Sequence, residues 1–375
     1  MPAQISHIIA GEMALERAAP GLMAALGDPA HVRQAAWFRL GCQGPDIFYH
    51  NQRTKPLGLH YGALAHRRGY GRLVEACLLK ILAAGDSSTY GALERPDVAW
   101  LLGFATHAAL DRAMHPFIVY FSGWASPGKP ETSRFRGAHP FLERLIDIHI
   151  LGKYRNIEVR AFDLEKLLPL EADASADAEV SCLLRAGLVA AYPGQAGADF
   201  LLDQRIANTF ADARYFLRAT NPARTEDEDA DGYAYLDDRI GPRTMSVVYP
   251  SSLPAGLDIA NEAHRPWRHP ADDGRGSMAD CVELFESGVK AAAEALGTVL
   301  GVLDGKAVPA EAARVIGDDG LSINDRQGRP ARPLVCDPLP LHAVMDVEFR
   351  RRIARAKAAA ERHPPGDALR TTGLR

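Results

Sequence analysis

Two stretches of the chain place metal-ligating side chains at one-turn intervals. His107, Asp111 and His115 lie in HAALDRAMHP, and His139, Glu143 and Asp147 lie in HPFLERLID. A step of four residues advances about 40° beyond a full helical turn. Each trio therefore projects from one face of a helix, and two such faces turned together form a pocket of imidazole nitrogens and carboxylate oxygens. Zinc accepts that donor set and leaves positions for water and substrate. Burying these groups in a helical core without a cation would be costly. The chemistry this predicts is metal-assisted hydrolysis.

Three candidates lie upstream. His7 follows Ser6, Asp46 sits in the Gly/Pro turn GCQGPDIFYH, and His60 follows in GLHYG. The histidines are unevenly spread: nine of the 13 precede residue 150. Other helical metal signatures are absent, including the ExxH pairs of di-iron bundles, HExxH, and an adjacent His-Asp pair.

The order of His7, the GPD turn, His60, HxxxD, His115 and HxxxE resembles the bacterial zinc-dependent phospholipase C family, which is related to the S1/P1 nucleases. The phrases SHIIAGE, GCQGPDIF, GFATHAALDRAMHPFI and HPFLERLID are similar to its leaderless branch. The resemblance covers residues 5–150, and more loosely the helices to about 300. It implies an all-α, multi-helix bundle with a metal cluster between helices, and hydrolysis of a phosphodiester by attack on phosphorus. By the same resemblance, Asp46, His60, His107 and Asp111 hold one zinc, and His115, His139 and Glu143 a second. His7 belongs to a third, with Asp111 bridging. Asp46 is also the candidate general base. The implied partner is a small phosphodiester or a phospholipid headgroup. A nuclease or nucleotide phosphodiesterase is the alternative, and a non-catalytic protein with structural zinc the third reading. Oligomeric state is left open.

Composition fits a globular protein. The chain has 375 residues, 47% hydrophobic and 24% charged, with a formal charge of −4. That balance does not favour nucleic acid, and no basic-aromatic stripe is evident. The N-terminal residues show no secretory pattern, no apolar run is long enough to span a bilayer, and five scattered cysteines form no CxxC pair. The expectation is a cytoplasmic protein with reduced thiols.

The elements that must position these residues are mostly helices. Apolar periodicity and caps predict helices over 8–26 (broken near Pro20), 61–84, 97–121, 139–152, 160–168, 177–191, 199–218, 278–303 and 342–362. Asp97 is the expected cap of the third, Pro116 its expected stop or kink, and Gly152 the expected stop of the fourth. Val247–Tyr249 is a short strand or extended loop. Segments 122–137, 250–277 and 304–340 read as irregular. The division is a helical domain over 1–303 and a C-terminal segment over 304–375.

Other residues carry weaker signals. His66, in AHRRGYGR with Arg67 and Arg68, and His50 are candidates for orienting ligands or meeting substrate, as is Asp147. His149 leaves the metal face. His264, Trp267 and His269, in NEAHRPWRHP, read as a packed loop around a buried Trp. Asp227, Asp229, Asp231 and Asp238 match a calcium-loop spacing, but the last position is Asp and Pro242 breaks the following helix. That stretch reads as a solvated acidic loop and not as a Ca2+ site. The basic, Ala-rich tail FRRRIARAKAAAER reads as a packed or exposed terminal helix.

Overall fold

The computed structural model describes residues 4–85, 88–126, 128–224 and 244–362. They are mainly helical: α1 (Gln4–Ala18), α2 (Pro20–Leu26), α3 (Val32–Cys42), α4 (Leu59–Ala65), α5 (Tyr70–Ala83), α6 (Pro96–Ser122), α7 (Ala138–Arg155), α8 (Leu164–Leu167), α9 (Ala174–Ala191), α10 (Leu202–Ala219), α11 (Cys281–Leu303), α12 (Pro309–Ile316) and α13 (Leu341–Arg362). A 3-10 turn, Gly44–His50, carries the GPD motif. Strands β1 (Trp267–His269) and β2 (Asp272–Ser277) form an antiparallel hairpin, with Trp267 opposite Ser277. No described helix is long and apolar enough to cross a membrane.

Helix α6 is the axis of the fold. Its residues are apolar almost all round and buried almost all round, as a helix enclosed by others must be. Pro96 opens it at a position where no intrahelical N–H is needed. Asp97 is therefore the second helical residue and not the cap; it pairs with Arg95 at 2.7 Å. Helices α3 and α11 pack along α6, α1 packs on α11 and α7, and α5 lies between α9 and α12.

The α3–α6 contact depends on small residues. A Cβ on Gly103 would lie 1.9 Å from the Phe38 carbonyl oxygen, and one on Gly41 2.1 Å from that of Trp100. Two backbones in contact have no flexible side chain to yield. Gly103→Ala is expected to cost about 3 kcal/mol or more, read from the urea midpoint of unfolding; a loss below about 1 kcal/mol would contradict this packing.

Several boundaries differ from those expected. Pro116 neither stops nor visibly ends α6, which continues to Ser122. The next turn buries Phe117, Ile118 and Phe121 completely or nearly so, which outweighs the one missing backbone hydrogen bond. Gly152 does not end α7; the chain turns at Asn156, in the left-handed region at φ 51°, whose N–H donates to the Gly152 carbonyl. The 61–84 stretch divides into α4 and α5 because Gly69 adopts φ 78° between them. The 160–168 stretch is a 3-10 turn, Val159–Ala161, followed by the single turn of α8. Helices α3 and α12 and the hairpin were not anticipated. Val247–Tyr249 is no strand: Val247 ends a 3-10 turn, Thr244–Val247, and the next two residues are irregular, as the loop alternative expected. The Asp227–Asp238 stretch lies outside the described residues.

Candidate metal centre

Five chain segments meet at the centre. Helix α1 contributes His7, the GPD turn Asp46, the residue after α4 His66, α6 His107, Asp111 and His115, and α7 His139 and Glu143. The helical spacing of α6 works as expected: His107 Nε2 lies 3.2 Å from Asp111 Oδ2, and His115 Nδ1 3.8 Å from the same oxygen. His7 Nε2 lies 3.3 Å from Asp111 Oδ1, and its ring stacks on His107 with centroids 4.1 Å apart. His66 Nε2 approaches Asp46 Oδ1 at 2.9 Å and Asp111 Oδ2 at 3.6 Å. On α7, His139 Nε2 lies 2.8 Å from Glu143 Oε1, with His115 Nε2 3.8 Å from that atom.

These atoms divide into groups that can each hold a metal ion: His7, Asp46 and His107; His66, His107 and Asp111; and His115, His139 and Glu143. The first two share His107, and Asp111 stands between the second and the third.

The imidazoles are set for this role by backbone carbonyls. His66 Nδ1 donates to the Gly62 carbonyl at 2.7 Å, His107 Nδ1 to that of Cys42 at 3.1 Å, and His115 Nδ1 to that of Leu321 at 2.7 Å. A carbonyl can only accept, so each neutral ring carries its proton on Nδ1 and presents the Nε2 lone pair to the cluster. This is the arrangement metal-ligating histidines ordinarily show.

Polar atoms of the cluster are otherwise unaccounted for. Asp111 is 0% exposed, yet neither carboxylate oxygen has a hydrogen-bond partner among the described residues; the same holds for Asp46 Oδ1 and for Nε2 of His7, His66 and His107. Buried carboxylates left so cost several kcal/mol. A cation between lone pairs at these spacings removes the cost, so the donor set fits a divalent ion.

The electrostatics follow from burial and crowding. Burial opposes ionisation of Asp111 and Asp46, but His107, with His115 for Asp111 and His66 for Asp46, outweighs it and holds both below the ordinary carboxylate range. Burial also opposes charge on His107, but Asp111 and Asp46 raise it above its ordinary value. Burial lowers His7 and His139 and pushes His115 down to about 3. It pushes Glu143 well above the usual carboxylate range.

Some expected residues lie elsewhere. His60 is exposed on α4 beside Tyr61 and belongs to none of the groups. Two helical positions six residues apart point about 120° away from one another, so only one of His60 and His66 can face the cluster, and it is His66. His50 stacks on Phe216 at 3.8 Å, and burial lowers it to about 3. Arg67 and Arg68 are exposed.

Asp147 is buried but is not a cluster residue. Its oxygens accept from the N–H groups of Ile5 and Ser6 at 2.9 and 2.8 Å and from the Tyr249 hydroxyl at 2.6 Å. It thus satisfies the first turn of α1 and fixes the helix that carries His7. The GPD glycine also shapes the centre: Gly44 has φ 56°, and a Cβ there would lie 2.2 Å from the His107 ring.

The loop histidines are peripheral. Trp267 is buried against Phe117 and donates its indole N–H to the Ala279 carbonyl. His264, Asp280 and Glu283 form a fourth possible metal group, but it is exposed, and the two carboxylates close the capping box of α11.

Sequence reasoning missed Leu321, which holds the His115 ring through its backbone carbonyl and leaves no side-chain signature in a ligand motif. No family model, curated protein or solved structure matches the chain, so the reading of this centre rests on its own chemistry.

Proposed function

We propose that the protein is a zinc-dependent phosphodiester hydrolase of the phospholipase C type, built on a phospholipase C/P1 nuclease-like bundle. The observation that carries this reading is Asp111, a fully buried carboxylate with four imidazoles within 3.8 Å and no hydrogen bond to either oxygen among the described residues. One carboxylate so placed serves two ions better than it serves one closed structural site.

Zinc held there supplies Lewis acidity toward a phosphoryl oxygen and a water acidic enough to ionise near neutral pH. The chain's own residues do the rest. His7, His66 and His107 present lone pairs around Asp46 and Asp111, while His115, His139 and Glu143 form the neighbouring group. Asp46 is ionised at neutral pH and stands as the acceptor for the proton of the attacking water. His66 takes the ligand place that the motif order gives to His60.

The test is metal content by mass spectrometry on the purified chain, with hydrolysis of bis-p-nitrophenyl phosphate and p-nitrophenylphosphorylcholine. Two or three zinc ions per chain and turnover abolished by chelation are expected. His107→Ala is expected to lower turnover by more than the roughly 100-fold that loss of an outer partner costs, while His60→Ala leaves it unchanged. Turnover that survives metal removal, or a chain that takes up no zinc, would sink the proposal. The preferred ester separates a choline-type headgroup from other diesters.

A further inference from the structure

The short segment 316–321, in the stretch expected to be irregular, ties together parts of the centre that come from different helices. Leu321 is fully buried. Its N–H donates to the His66 carbonyl at 2.8 Å, and its own carbonyl accepts from His115 Nδ1 at 2.7 Å. One residue therefore touches the backbone of a histidine in one group and fixes the ring of a histidine in another. The segment is also pinned to the start of α5, where Gly69 and Gly71 N–H donate to the Asp318 and Gly317 carbonyls at 3.0 and 3.1 Å.

Arg112 clamps the segment from the other side. It follows Asp111 on α6, and its guanidinium donates to four successive or near-successive carbonyls. Nη1 reaches Ile316, Nη2 reaches Gly317 at 3.1 Å and Asp319 at 2.8 Å, and Nε reaches Gly320 at 3.4 Å. The first of these closes α12, whose last carbonyls have no partner in the helix and carry its negative dipole end. The planar fork of Arg matches several acceptors at once in a way a Lys ammonium does not.

The geometry points to Arg112 as a positioning residue: through the 316–321 strap it sets the His115 ring and thereby the affinity of the His115, His139 and Glu143 group for its ion. No hydrogen bond of Arg112 reaches the His115, His139 and Glu143 group; its contacts are with the strap. The inference rests on the cluster binding metal and does not depend on which ester is cleaved.

The experiment is a zinc titration of the full-length chain against a competing chelator. Arg112→Gln is expected to weaken one ion about 10- to 100-fold, the usual effect of losing an orienting partner, and to leave the other unchanged. Loss of the same ion in His139→Ala identifies it, and Arg112→Lys recovers part of the affinity. A purely structural role would lower thermal stability and weaken both ions alike or neither, and either result overturns the inference. If Arg112→Gln does not fold, hydrogen exchange on the wild-type chain decides: zinc is expected to slow exchange across 316–323, and unchanged exchange there overturns the strap. A wild-type chain that takes up no zinc removes the metal centre itself, a failure seen before any variant is compared.

Discussion

Under the proposed function, Asp111→Asn is expected to abolish phosphodiester hydrolysis and to remove the thermal stabilisation that bound zinc would confer. The change keeps the shape of the side chain and deletes its charge. Asp111 approaches imidazoles of the centre, His107 nearest at 3.2 Å, so the amide disturbs the centre and not the surrounding apolar core, and the fold should survive. The carboxylate faces the Nε2 atoms of His7, His66 and His107 at 3.3, 3.6 and 3.2 Å. A ligand that binds only the folded state stabilises it by about 4 kcal/mol at a thousand times its dissociation constant. Wild-type chain should show a gain of that order on saturation with zinc, measured by thermal melting with and without chelator. The variant should lose most of it, along with more than a hundredfold in turnover. An equal zinc-induced rise in both melting points would show that Asp111 is not at the heart of a metal site.

The second large effect is pH dependence, and its direction follows from His107. Its pKa is raised above 6.5 because Asp111 and Asp46 outweigh burial, whereas burial lowers His7, His115 and His139. In the metal-free protein a raised histidine stabilises the fold fully below its unfolded value, and that contribution is lost as pH rises through the folded value. Zinc needs the lone pair that this proton occupies. Apparent zinc affinity should therefore climb about tenfold per pH unit below the raised His107 value and flatten above it. The stabilisation conferred by zinc should grow over the range in which the metal-free protein loses its own. Chelator competition from about pH 6 to 9, with proton release measured by calorimetry in buffers of different ionisation enthalpy, checks this. An affinity that stays flat across the range would mean that His107 is not a ligand.

Much of the centre was legible before any fold was known. His107, Asp111 and His115 meet because residues four apart on a helix always lie on one face, and the same holds for His139 and Glu143. The surrounding residues are apolar enough to make α6 a buried helix, so carboxylates on it had to be explained by pairing or by a cation. The motif order brought Asp46 and His7 into the set, and the structure places both within the metal-capable groups.

What the sequence by itself determined is local: which residues share a helical face, and that a helical body with a polar cluster must result. Tertiary structure decided the rest. That His66 and not His60 lies beside Asp46 and Asp111 depends on how α4 is turned against the centre. Asp147 continues the α7 spacing, yet it turned out to hold the first turn of α1, some 140 residues away along the chain. Pro116 left α6 intact because the burial of the turn beyond it outweighs one lost hydrogen bond. The Leu321 carbonyl reaches His115 across 206 residues. Every residue carries a backbone carbonyl, so no side-chain pattern can single out the one that orients a ligand; only the packing of the strap against α5 and α6 does so.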